Sequence, residues 1–245
     1  MGSVKSLSVI TVTYNAAETL GRTISSVKQQ TYPHIQHVIV DGNSTDGTID
    51  IIREYASKKT KWISEPDKGL YFAMNKAAML ADGNYLCFLN AGDTFCCANT
   101  VAQMMASFYG HHEPDIIYGE TAIVDDNGKF LHMRRLKAPK RLTYKSFKKG
   151  MLVCHQAFIV NKKIYSPYDT SYRFSSDFDW AIRMMKRAEH IHNSDYVLIN
   201  YLNEGLTTAN RKASLKERFA IMSKHYGLLP TVFWHIWFVI RAIFK

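Results

Sequence analysis

An apolar run, Tyr85-Leu86-Cys87-Phe88-Leu89, breaks at Asn90-Ala91-Gly92 and delivers a carboxylate at Asp93. Residues 85–90 read as a strand buried on both faces, so Asp93 falls at its C-terminal end, the edge where ligands sit in open α/β sheets. A lone carboxylate there is suited to holding a hard divalent cation against a substrate's phosphates, because Mg2+ takes one or two carboxylates plus phosphate oxygens. It is equally suited to capping a helix that starts near Ala98. A second apolar stretch, residues 36–41, also ends on a carboxylate, Asp41, which suits hydrogen bonds to a nucleobase or ribose. Thr13-Tyr14-Asn15 closes the first strand at the same edge, provided the strands run parallel. No G-x-G-x-x-G follows that strand and no G-x-x-x-x-G-K-[ST] occurs, which argues against a dinucleotide site of the Rossmann type and excludes a P-loop.

The elements that must carry these residues alternate. Residues 8–13, 36–41, 61–64 and 85–90 read as strands, and residues 16–30, 46–58 and 70–80 as helices, with Asn15 the expected cap of the first. That spacing predicts βαβ units and an α/β fold, a mostly parallel sheet with helices on both faces. Beyond Asp93, residues 98–109 read as helix, 115–118 as strand, Asp126-Asn127-Gly128 as a hairpin turn, 157–160 as strand, 177–187 as helix and 196–199 as strand. A helical tail follows from Ser214, with a break expected at Leu229-Pro230.

The chain has 245 residues, 47% hydrophobic and 21% charged, with no repeat, low-complexity tract or linker, as suits a soluble globular protein with a large core. Its four cysteines have no metal-type spacing and read as reduced thiols of a cytosolic protein. No secretory signal is expected, since the N-terminus runs almost directly into a strand. Met1-Gly2-Ser3 formally fits a myristoylation pattern, which chance explains as well. The formal charge of +10 points to an anionic partner.

Four segments occur in order: Ser8-Val9-Ile10 with Tyr14-Asn15; Val40-Asp41-Gly42-Asn43-Ser44-Thr45-Asp46-Gly47-Thr48; Asp67-Lys68-Gly69 with Asn75; and Gly83-Asn84-Tyr85 with Asn90-Ala91-Gly92-Asp93. Together they resemble the N-terminal half of the family 2 inverting glycosyltransferases, whose fold is of the GT-A nucleotide-sugar type. The resemblance implies a nucleotide-diphosphate-sugar donor, a UDP-sugar by preference, with Mn2+ or Mg2+ as cofactor. Thr13, Tyr14 and Asn15 would line the base and ribose pocket, Asp41 would hydrogen-bond the base, and Asp67, Lys68 and Gly69 would flank the donor, with Asn75 and Asn90 on the same side. Asp93 matches the last acid of the family's metal motif. Asn90 and Gly92 stand where other members carry carboxylates, which leaves one anionic ligand. Phe174-Ser175-Ser176-Asp177-Phe178-Asp179-Trp180 resembles the family's acidic segment before a helix, which implies Asp177 as the base that deprotonates the acceptor, with Asp179 the competing base and a helix N-cap the structural alternative. Cys154-His155-Gln156 resembles a His-Gln pair near the acceptor site; a buried structural histidine is the other reading.

Residues 129–168 contain no acid, and Arg134, Arg135, Lys137, Lys140, Arg141, Lys145, Lys148 and Lys149 crowd this stretch. It reads as a solvated face or as a surface for anionic headgroups. No nucleic-acid-binding pattern accompanies it, so no nucleic acid is expected. Residues 230–245 are apolar around most of a helix, with Thr231, His235, Arg241 and Lys245 on one narrow side and Phe238 intruding. The run is short of the about 20 residues a spanning helix needs, and suits an in-plane interfacial helix or one packed on the domain or a partner subunit. The expected organisation is a catalytic domain over 1–212, divided into a donor half (1–95) and an acceptor half (96–212), and amphipathic helices over 213–245. The expected activity is transfer of one sugar to a lipid-linked saccharide or surface polysaccharide, by a cytoplasmic protein peripheral to the inner face of an anionic membrane. A nucleotidyltransferase and a non-enzymatic peripheral membrane protein are the alternatives.

Overall fold

The computed structural model describes residues 4–203 and 210–243, the side chains of residues 211 and 241–243 aside. The first half is built as the alternation predicts: β1 (Leu7–Thr13), α1 (Ala17–Lys28), β2 (Ile35–Asp41), α2 (Thr48–Tyr55), β3 (Thr60–Ser64), α3 (Leu70–Leu80) and β4 (Tyr85–Phe88). These strands are mutually parallel in the order β3-β2-β1-β4. Every residue of β1 and β4 is buried, which is why they read as continuous apolar runs rather than alternating ones. The chain moves outward from β1 to β3 and then returns to β4 on the other side of β1. That reversal opens a crevice at the C-terminal ends of β1 and β4, where α/β sheets bind ligands. Gly83 lets α3 return to the sheet, since a Cβ there would meet the Ser8 backbone nitrogen at 2.5 Å.

The second half extends the same sheet with β5 (Thr94–Phe95), β6 (Ile116–Val124), β7 (Phe130–Met133), β8 (Phe158–Asn161) and β9 (Ile191–Leu202), and adds α4 (Thr100–Ala106) and α5 (Ser176–Arg187). β8 runs antiparallel between β4 and β6, β9 is parallel to β6, and β5 closes the order against β9. β7 pairs with β6 through the predicted hairpin at residues 125–128. Two helices, α6 (Arg211–Tyr226) and α7 (Leu228–Ile243), complete the described chain. Among the described residues all four cysteines are free.

Several boundaries differ from the sequence reading for physical reasons. β4 stops at Phe88, and Asp93 lies beyond it in a turn closed by the Asp93 N–H on the Asn90 carbonyl at 3.1 Å. α4 starts at Thr100, so Asp93 does not cap it. β6 and β9 are far longer than their apolar cores because their parallel pairing, remote in sequence, extends both. The tail breaks at Gly227 (φ 88°), and Pro230 sits in the first turn of α7, where its missing N–H costs nothing. Residues 1–3 and Lys245, which carried sequence expectations, lie outside the described residues.

Candidate active site

The loops after β1 and β2 lock together. Asn15 adopts φ 47°, donates its N–H to Ser44 Oγ (2.8 Å) and accepts from the Thr45 N–H through Oδ1 (2.9 Å). It does not cap α1: Ala16 holds that position, and the helix N-terminus is instead met by Asp46, whose carboxylate accepts from the Ala17 N–H at 3.0 Å. The Thr48 hydroxyl and this N–H hold Asp46 below the usual carboxylate range. Asp41 is fully buried and accepts from the Ser44 N–H (2.9 Å), the Ser64 hydroxyl (2.6 Å) and the Ser44 hydroxyl. Three of its roughly four lone-pair positions are thereby committed to the loop. The Tyr14 ring lies beside Gly42 and is 67% exposed.

Buried polar atoms are almost always paired. Among the described residues six buried side-chain nitrogen or oxygen atoms are not, and three of them are Thr13 Oγ1, Asp67 Oδ2 and Asn90 Oδ1, residues expected to face the donor. Asp67 Oδ1 meets Lys76 Nζ at 2.7 Å, which leaves its other oxygen without a partner. Lys68 and Gly69 are exposed, and Gly69 (φ 135°) opens α3. Asn75 is otherwise engaged: its amide holds the Tyr168 backbone through both N–H and C=O (2.7 and 3.0 Å) and accepts from the Tyr165 hydroxyl.

Asp93 is 4% exposed. Its Oδ1 accepts from the Leu202 N–H (2.9 Å) and its Oδ2 from Gln156 Nε2 (2.7 Å). Burial pushes the carboxyl up to about 7, against these two donors and the more distant Arg22. Gly92 (φ 97°) makes the turn and packs where a Cβ would strike Leu202 at 2.8 Å. Gln156 thus serves Asp93, and its own Oε1 accepts from the Cys154 thiol at 3.0 Å. His155 is buried, stacks on Phe88 at 5.5 Å and bonds the Tyr168 hydroxyl at 2.6 Å; burial holds it below its usual value.

Asp177 occupies the first turn of α5 but caps nothing; Ser175 is the N-cap residue. Its Oδ1 accepts from the Tyr71 hydroxyl of α3 at 3.2 Å, and the Tyr71 ring stacks on Tyr168 at 5.5 Å. Tyr201 on β9 feels both acids: burial raises its hydroxyl, and the charges of Asp93 and Asp177 raise it further. Both carboxylates thus act on the Tyr201 hydroxyl. Asp179, two residues on, is fully buried and turned away into Arg183 Nε (2.6 Å), His225 Nε2 (2.8 Å) and Lys224 Nζ (3.6 Å). Burial alone would raise it, but His225 and Arg183 outweigh burial and hold it at about 2.

Sequence reasoning missed the support for the segment that carries Asp177. Glu217 on α6 accepts from the N–H groups of Arg173, Phe174 and Ser175 at 2.8, 2.9 and 2.8 Å, suspending the segment that leads into Asp177. Its signal was present: it is the one acid on an otherwise basic helix. Arg134, read as part of a basic face, instead turns inward onto the carbonyls of Leu136, Met151 and Leu152. Among the described residues no group of three or more His, Cys, Asp or Glu side chains is arranged to hold a metal.

Residues 8–167 match the family model described as Glycosyl transferase family 2. A protein of Mycobacterium bovis (strain BCG / Pasteur 1173P2) named PGL/p-HBAD biosynthesis glycosyltransferase is 32% identical over 207 residues, 80% of this chain and 76% of its own length. Escherichia coli WfgD, named UDP-Glc:alpha-D-GlcNAc-diphosphoundecaprenol beta-1,3-glucosyltransferase, is 25% identical over 222 residues, 88% of this chain and 85% of that one. The solved structure of S. aureus TarS 1-349 in complex with UDP-GlcNAc superposes with a TM-score of 0.70 at 19% identity, covering 90% of this chain and 67% of that one, a likeness of fold. With the family model matching well over half of the chain, including most strands of the sheet, the chain belongs to glycosyl transferase family 2 and is a glycosyltransferase.

Proposed function

We propose that this enzyme moves one sugar, with inversion, from a UDP-sugar to a lipid-linked saccharide or surface polysaccharide acceptor at the cytoplasmic face of a membrane. The observation that carries the reading is the set of buried oxygens without partners on three residues expected to face the donor, Thr13, Asp67 and Asn90, together with a half-buried Asp177 whose carboxylate accepts from the Tyr71 hydroxyl. Residues 1–95 supply the donor half and 96–212 the acceptor half. Thr13, Tyr14, Asn15 and Asp41 receive the base and ribose, the exposed Tyr14 ring offering an apolar face; Asp67, Lys68 and Gly69 flank the diphosphate. WfgD, by its name, takes UDP-Glc and a diphosphoundecaprenol-linked acceptor, which supports both substrate classes here.

Asp177 accepts the proton of the acceptor hydroxyl as that oxygen bonds the anomeric carbon, and the C–O bond to the diphosphate breaks on the opposite face. Tyr71 orients Asp177 by donating to Oδ1, and His155 steadies Tyr71 through Tyr168. Asp179 is unsuited to this work, because its ion pairs keep it ionised and turned away from the cleft. Asn75 acts on the donor side only indirectly, by holding the loop at Tyr168. His155 and Gln156 likewise serve the acceptor side from behind the first layer of contacts. A divalent cation would be held jointly by the protein and the donor's diphosphate, with Asn90 Oδ1, a hard oxygen without a partner, and the Asp93 carboxylate as the protein's contribution. Bound there, Mn2+ or Mg2+ would neutralise the departing diphosphate.

A panel of nucleotide sugars, each with Mn2+ or Mg2+, tests the reading by thermal shift and by product. A UDP-sugar should raise the melting temperature only with the cation and yield nucleoside diphosphate in the presence of acceptor. Release of pyrophosphate, or no stabilisation by any donor, would remove it.

A further inference from the structure

Helix α7 is packed the wrong way round for a helix at home in water. Its inward side carries Thr231, fully buried, and His235, whose ring meets Phe219 at 4.9 Å, together with Trp234 and Phe238. Its outward side carries Leu229 (84% exposed), Phe233 (65%), Ile236 (55%), Trp237 (47%), Val239 (60%) and Ile240 (40%). From Leu228 to Ile240 the helix has no charged residue. Water-facing helices bury the apolar face and expose the polar one, so something apolar covers this face when the protein works. Between α6 and α7 the same face opens into an apolar groove of about 320 Å3, lined by residues that include Phe219, Val232 and Ile240.

We propose that the outward face of α7 is a docking surface for an anionic lipid bilayer, lying in the plane of its interface. Charge selects the bilayer over a second copy of the chain. Lys212 and Lys216 are exposed on α6, and Lys145 and Lys149 are exposed on the Tyr144–Lys149 turn that packs against α7. The only acid of residues 210–245, Glu217, is turned inward to the backbone of residues 173–175. Two copies joined through this face would bring two such basic rims together, whereas an anionic leaflet complements the rim and takes up the apolar strip. No helix among the described residues is long and apolar enough to cross a membrane, so α7 lies on the bilayer. Because α6 also holds the segment before Asp177, docking would fix the height of the cleft above the lipid. This serves the sugar-transfer reading, but vesicle binding is measured without donor or acceptor, so either can fail alone.

The test is co-sedimentation of the full chain with phosphatidylcholine vesicles with and without phosphatidylglycerol, at low and high salt, for the wild type and for Phe233→Ser combined with Trp237→Ser. Both positions are exposed, so the variant should melt as the wild type does. Binding should require the anionic lipid, weaken with salt and fall at least about tenfold in the variant, while the donor-induced thermal shift is unchanged. A wild type that ignores anionic vesicles, a variant that binds them undiminished, or a wild-type dimer that the substitutions dissociate would each overturn the proposal.

Discussion

The turn after β4 and the first turn of α5 each withdraw a carboxylate from water, and they treat it in opposite ways. Among the described residues Asp93 meets two neutral N–H donors and no cation within ion-pair distance, so burial prevails and its carboxyl rises to about 7. Asp179 meets Arg183, His225 and Lys224, and is held at about 2. The α5 arrangement is complete and needs nothing further from outside. The β4 arrangement leaves negative charge undercompensated beside an unpartnered Asn90 oxygen, the pattern expected where a ligand supplies what the protein lacks. Asp177 differs from both: it sits in the first turn of α5, half-buried, and its carboxylate accepts from a tyrosine hydroxyl.

The sharpest way to break this contrast is to exchange the roles of the two α5 acids. Asp177→Asn should lower turnover by about 10²- to 10⁴-fold with donor affinity kept, measured by steady-state kinetics and donor titration. Asp179→Asn should act on stability instead: leaving Arg183 and His225 without their buried anion costs about 3 kcal/mol in a urea melt, while folded enzyme keeps most of its turnover. Equal losses of turnover in both variants would erase the distinction.

Stability against pH sharpens the same comparison, in the presence of chelator. Asp93 has a raised native value, so the stability it contributes is full below 3.8 and is lost as pH rises through about 7. Asp179 has a depressed native value, so its contribution is present above 3.8 and is lost as pH falls through about 2. Between pH 4 and 7 the Asp93 effect should therefore weaken the apo protein by up to about 1.4 kcal/mol per pH unit, and Asp93→Asn should flatten that slope in urea melts. A smaller effect is expected at Glu217, a positioning residue. Glu217→Gln, which keeps one acceptor oxygen, should cut kcat about tenfold with the donor KM unchanged, whereas Lys216→Gln changes neither.

The donor half was legible because its information is local. Three strands, β1, β2 and β4, are buried over most or all of their length and read as apolar runs, and the turn residues that follow β2 and β4, Asp41-Gly42-Asn43 and Asn90-Ala91-Gly92-Asp93, stand next to them in the chain. What sequence could not supply was partnership at long range. The bonds from Gln156 and Leu202 to Asp93 span 63 and 109 residues, and those from Glu217 to the segment before Asp177 span 42 to 44. The parallel pairing of β6 with β9 was hidden for the same reason, and with it the true length of both strands. In α7 the polar stripe of Thr231 and His235 was readable, but which side faces the protein was not, because Trp234 and Phe238 flank that stripe and take it into the core.

One measurement tests the division of labour between the two ends of the cleft most directly. Nucleoside diphosphate release from a UDP-sugar, with acceptor present, is followed for the wild type and Asp177→Asn, and donor-induced thermal shifts are recorded on the same samples. The account predicts that the variant keeps the full shift and loses turnover by at least about a hundredfold. A variant that turns over like the wild type, or that loses the shift together with turnover, would contradict it.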